Sequence, residues 1–89
     1  MNPDRLTTLI EAYALALREE IKLRPASWLR FAGDTAEDKI IRVACAAHDL
    51  IGRGQLAMIQ TDSDAWRRTC AALRIPQTVE GIKEYLGRP

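Results

Sequence analysis

Asp62-Ser63-Asp64-Ala65-Trp66-Arg67-Arg68-Thr69-Cys70-Ala71-Ala72-Leu73-Arg74-Ile75-Pro76-Gln77-Thr78-Val79-Glu80-Gly81-Ile82-Lys83-Glu84-Tyr85-Leu86-Gly87 decides the fold class of this chain. It reads as a helix, a proline-marked turn and a second short helix. Thr61 with Asp64 three residues on, or Ser63 alone, supplies a side-chain cap for the first helix. Trp66, Thr69, Cys70 and Leu73 then fall on one side of it, with Arg67, Arg68 and Arg74 largely on the other. Ile75-Pro76 breaks that helix and Gln77-Thr78 restarts the chain. Val79, Ile82, Tyr85 and Leu86 form the last apolar stripe, and Gly87 suits a C-terminal cap. Gly81 inside this helix costs about 1 kcal/mol relative to alanine. Close packing against another backbone is the expected reason for it.

Upstream, the chain repeats the same kind of element. Gln55 to Gln60 is a short apolar run, and no second strand candidate exists to pair with it, so it is taken as helical. Asp34 and Glu37 have capping-box spacing. Ile40, Ile41, Val43, Ala44, Ala47, Leu50 and Ile51 follow and make a helix apolar around much of its circumference. Such a helix is expected to be central. Gly52-Arg53-Gly54 stops it. Ser27 to Gly33 suggests a one- or two-turn helix whose Trp28, Leu29 and Phe31 plug the core. Asn2-Pro3-Asp4 is a helix start, and Leu6, Leu9, Ile10, Tyr13, Leu17 and Ile21 recur at three- and four-residue steps. Leu15 points away from that stripe, exposed or available to a partner. Pro25 ends this helix near Leu23-Arg24. The expected architecture is an all-α, single-domain bundle of four to five short helices, roughly 3–22, 26–32, 35–51, 62–74 and 77–86.

Bulk properties exclude several function classes. A chain of 89 residues has room for one core. Hydrophobic content of 47% beside 28% charged residues is globular composition. A net charge of +1 gives no overall attraction to nucleic acid or anionic lipid. No apolar run approaches the roughly 20 residues of a membrane span. No secretory leader pattern is visible, and Cys45 and Cys70 form no disulfide framework, so a reduced cytoplasmic setting is expected.

Cofactor and catalytic signals are weak throughout. There is no glycine loop to cradle phosphate and no carboxylate pair or calcium loop. Cys45 and His48 lie three apart on one helix, with Asp49 nearby, as a thiolate–imidazole pair would require. A zinc site wants about four ligands, and only Cys70 remains as another sulfur donor. Cys45 among Ala44, Ala46 and Ala47 is better read as a buried thiol. The expectation is therefore a non-enzymatic protein with no metal and no cofactor.

Two binding readings remain. Helix–turn–helix motifs place a small residue in the first helix, glycine in the turn and apolar anchors on the second helix. Ala71 to Ile75 followed by Thr78-Val79 resembles that outline. Arg74, however, stands where the turn glycine belongs, and Val79 and Ile82 come one residue early. A nucleic-acid surface would use Arg67, Arg68, Arg74, Gln77, Thr78, Lys83 and Arg88, though Glu80 and Glu84 share the last helix.

The favoured reading is a small protein-binding regulator or inhibitor. An aromatic flanked by arginine has the composition of an interface anchor, which singles out Trp66, Arg67, Arg68 and Arg74, and Trp28 with Arg30. Leu15 and the Leu56–Ile59 run add spare apolar surface, so a homodimer is also open. Trp66-Arg67-Arg68-Thr69-Cys70 leading to Ala72-Leu73, Thr78 and Tyr85-Leu86 resembles segments of small uncharacterised bacterial and prophage proteins. The resemblance covers about a quarter of the chain, carries no known activity, and implies a mobile-element (phage or plasmid) setting.

Overall fold

A computed structural model describes residues 1–22 and 37–89 of the chain, together with the backbone of Ala36. Four α-helices hold most of the described residues: α1 (Pro3–Lys22), α2 (Ala36–Gly52), α3 (Asp64–Leu73) and α4 (Val79–Gly87). A 3₁₀ turn, Leu56–Met58, links α2 to α3. No strand occurs among the described residues, and the all-α bundle expected from the sequence is what forms. The expected short helix at 26–32, with Trp28 and Arg30, lies outside the described residues, as do Asp34 and Thr35 of the capping-box reading.

α1 is the hub. It packs on α2, α3 and α4. Its buried side chains, Leu6, Leu9, Tyr13, Ala16 and Leu17, follow the three- and four-residue steps of one helix face. The expectation that α2 would be central is overturned. Only Ile40, Ala44, Ala47 and Ile51 form its buried line, while Ile41 is 52% exposed and Cys45 is exposed as well. Alanines and a cysteine make a helix look apolar all round without giving it volume to bury on every side. α2 instead leans on α1 and the 3₁₀ turn. At its N-terminal end an Arg18–Glu37 ion pair at 2.6 Å bridges it to α1 across an exposed edge. Solvent screens such a surface pair, so it adds little to stability.

Caps fix where α1, α3 and α4 begin. Asn2 Oδ1 accepts from the Asp4 and Arg5 amides at 2.9 and 3.4 Å. For α3 the cap is Ser63, whose hydroxyl accepts from the Trp66 amide at 3.3 Å. Thr78 caps α4 by accepting from the Gly81 amide at 2.9 Å. Each satisfies donors that a helix start leaves open.

The helix ends are more informative. α2 closes with Gln55 N–H donating to Leu50 O at 2.9 Å and Gly54 N–H to Ile51 O at 3.0 Å, with Gly54 at φ 76°. This is a Schellman closure, with glycine at its left-handed residue. α3 closes in the same way: Ile75 N–H donates to Cys70 O at 3.0 Å and Arg74 N–H to Ala71 O at 3.2 Å. The left-handed residue here is Arg74, at φ 56° and ψ 46°. Ile75 is buried in the same core as Cys70, and that burial favours the closed turn despite the Cβ at position 74. Arg74→Gly should therefore stabilise the protein by about 0.5–1 kcal/mol, read as a raised urea midpoint with an unchanged slope. Gly87, by contrast, ends α4 as its last helical residue and takes no left-handed conformation, contrary to the capping role expected for it.

The two chain ends meet. Asn2 donates its backbone N–H to Leu86 O at 2.9 Å and its amide nitrogen to Arg88 O at 3.2 Å. Arg5 lies over the Tyr85 ring, 4.8 Å from its centroid, and donates from Nη2 to Pro89 O at 3.4 Å. α4 is thereby fastened to the first turn of α1.

Candidate functional site

Trp66 is core, not a surface anchor. It is 3% exposed and stacks on Tyr13 with ring centroids 4.2 Å apart and planes 17° from parallel. The helical spacing that places Trp66 beside Thr69 and Cys70 turns all three inward, and Thr69 satisfies its buried hydroxyl by donating to Ala65 O at 2.7 Å. Burial, with the nearby Glu20 carboxylate, raises the Tyr13 phenol above its ordinary range. The Cys70 thiol is raised by burial alone, which makes it a poor nucleophile. Cys45 is the opposite case. Expected in the core, it lies exposed on α2 with His48 also exposed. Among the described residues no group of three His, Cys, Asp or Glu side chains is placed to hold a metal.

The basic residues of α3 and α4 separate into engaged and unengaged groups. Arg67 lies 3.7 Å from Asp64, and Arg88 pairs with Glu84 at 3.3 Å. Gln77 donates from Nε2 to the Thr61 carbonyl at 2.6 Å, pinning the turn before α4 to the segment before α3. The Thr78 hydroxyl is committed to its cap. Arg68, Arg74 and Lys83 keep side chains without an ion-pair partner among the described residues, and Lys83 stands on α4 between exposed Glu80 and Glu84. Trp28 and Arg30 lie outside the described residues.

Two of the apolar grooves among the described residues bear on the predicted site residues. The first runs between α2, the 3₁₀ turn and the start of α3, with a volume of about 260 Å³. Its floor is Tyr13, Ala47, Ile59 and Trp66, all buried, and its rim is Val43, Ala46, Leu50 and Met58. Met58 is 66% exposed, and Ser63 and Gln60 add polar atoms at one end. The apolar run at 55–60 thus does two jobs: Ile59 goes into the core while Met58 stands over the groove. Its even hydrophobicity hides that division in the sequence.

The second groove, of about 320 Å³, lies between α1 and α3 and is lined by Ala12, Leu15, Ala16, Glu19, Arg68 and Ala72. Leu15 is 62% exposed, as its place off the α1 stripe implies. Arg68 is half-buried, and its Nε is shielded from solvent without a hydrogen-bond partner among the described residues. No described helix is long and apolar enough to cross a membrane. No family model matches the chain, and neither a curated protein nor a solved structure matches it.

Proposed function

We propose that this protein is a small non-enzymatic protein-binding regulator, and that its partner enters the groove under Met58. The observation that carries this reading is an open apolar groove with a rigid floor and an adaptable rim. Trp66 and Tyr13 are fixed by their mutual stacking. Met58, on a short 3₁₀ turn, is unbranched and polarizable, a side chain that adjusts to varied partners. An amphipathic helix laying aliphatic side chains into such a groove is the mode this shape supports. Trp66 then contributes from beneath, as floor and not as protruding anchor. A mobile-element origin, implied by the resemblance of the tail, and a cytoplasmic setting belong to the same proposal.

Met58 and Ala46 are exposed, so Met58→Glu and Ala46→Glu leave the core intact. Affinity capture from cells expressing the protein at natural levels should return a partner with the wild-type chain and lose it with either variant. Capture of nothing, or of a partner that both variants retain, would sink this reading.

A nucleic-acid role is the rival reading. The left-handed Arg74 supplies the turn conformation that a glycine would, which favours it. Gln77, Thr78, Arg67 and Arg88 are otherwise engaged, leaving Arg68, Arg74 and Lys83. Three phosphate contacts would give a log–log salt slope of about −2.7 on random duplex DNA. Absence of binding at low salt removes it.

A further inference from the structure

A third cavity, of about 300 Å³, shares no lining residue with either groove. It lies where the end of α2, the 3₁₀ turn and the second half of α4 come together. Ile51 and Leu86, each 2% exposed, form its floor, and half-buried Leu56 lines it beside them. Exposed Met1 stands at the rim, held there by the Asn2 N–H bond to Leu86 O. Two glycines complete the lining. Gly54 has a conformational reason to be glycine, its left-handed φ. Gly87 has none. It is helical, and a Cβ there would meet nothing within 4 Å. A helical glycine is less stable than alanine, and at Gly87 the missing side chain leaves the cavity its width.

Lys83 is the one ionic residue on this lining. It shares a stripe of α4 with Leu86 and Gly87, three and four residues on. It has no ion-pair partner among the described residues. Glu80 and Glu84 are turned about 60° and 100° away from it around the helix axis, and Glu84 pairs with Arg88. A lysine stem suits an apolar wall while its ammonium stays in water. An apolar cavity with one unpaired cation at its edge complements a ligand with an aliphatic body and a single anionic end. We propose that this cavity binds a free medium-chain aliphatic carboxylate, with its tail on Ile51, Leu56 and Leu86 and its carboxylate at Lys83. At the roughly 30 Å³ a water molecule takes in the liquid, the cavity has room for about ten non-hydrogen atoms. That is the size of octanoate, and far too small for a two-chain lipid. No carboxylate lines the cavity to receive a cationic ligand.

Calorimetric titration of the full chain with sodium octanoate, below its micellar range, tests this. The wild-type protein should bind one equivalent saturably, and octylammonium should bind more weakly. Lys83→Met keeps an apolar stem and removes the charge. It should weaken octanoate about fivefold or more, the scale of an exposed charge pair, and leave neutral octanol unchanged. Gly87→Leu places a side chain in the cavity and should abolish binding of both, with far-UV circular dichroism checking that each variant is folded. Met58→Glu should leave octanoate binding unchanged, which separates this result from the fate of the Met58 groove. A wild-type chain without saturable binding overturns the proposal. So does a folded Lys83→Met or Gly87→Leu chain that binds octanoate as wild type does, or binding that Met58→Glu removes.

Discussion

Trp66→Ala is expected to lower the unfolding free energy by about 3–5 kcal/mol, the range for removing a buried aromatic and leaving a cavity. The ring is almost wholly buried and lies flat on Tyr13. About 0.5–1.5 kcal/mol of that loss is the stacking contact itself. A chain of 89 residues at 0.05–0.15 kcal/mol per residue has a total stability of roughly 4–13 kcal/mol. One side chain therefore carries a quarter or more of it. Urea titration followed by far-UV circular dichroism would show a midpoint shifted far downward, or no folded baseline at all. Trp66→Phe keeps an aromatic face on Tyr13 and should lose markedly less. An alanine variant as stable as wild type would mean that the stack contributes nothing to the core.

Gly81→Ala should also destabilise the protein, against helix propensity. A Cβ at position 81 would sit 2.5 Å from the Pro76 carbonyl oxygen, 3.0 Å from its Cβ and 3.1 Å from its Cδ. None of these atoms ends a flexible side chain, so the α4 start or the turn must move. Overpacking costs about 1–3 kcal/mol and occasionally more. Alanine would return about 1 kcal/mol of helix propensity, and the steric cost wins because the nearest contact is backbone. The net loss should reach about 2 kcal/mol. Gly87 gives the internal comparison. It is helical, and a methyl group added there would meet nothing within 4 Å, so alanine should be neutral or mildly stabilising. Equal midpoints for the two variants would contradict the clash.

The contact behind that loss was legible in the sequence, because a glycine inside a helical stripe needs a reason. So were the α1 face, the caps at Asn2 and Ser63, and the exposure of Leu15, whereas the helix expected from 77 starts at Val79 with Thr78 as its cap. Each is a local statement, fixed by neighbours within a turn of helix. What stayed hidden depends on residues far apart along the chain. Whether Trp66 faces solvent or core is settled by Tyr13, on another helix. Which helix is central is settled by volume as well as hydropathy, and α2 fills its apolar positions with alanine and an exposed Ile41. The left-handed Arg74 escapes a residue-type reading because the burial of Ile75, not the residue at 74, sets the turn. Neither groove is visible in one dimension, since each draws its walls from two or three elements.

The clasp between Asn2 and Arg5 at one end and Leu86, Arg88 and Pro89 at the other joins residues 84 to 86 positions apart. Its formation closes a loop nearly as long as the chain, and the entropy of that closure comes due only when α4 arrives. By loop closure alone, this pairing costs more entropy than any nearer one in the chain. A covalent link between residues 2 and 88 would turn that distant encounter into a local one.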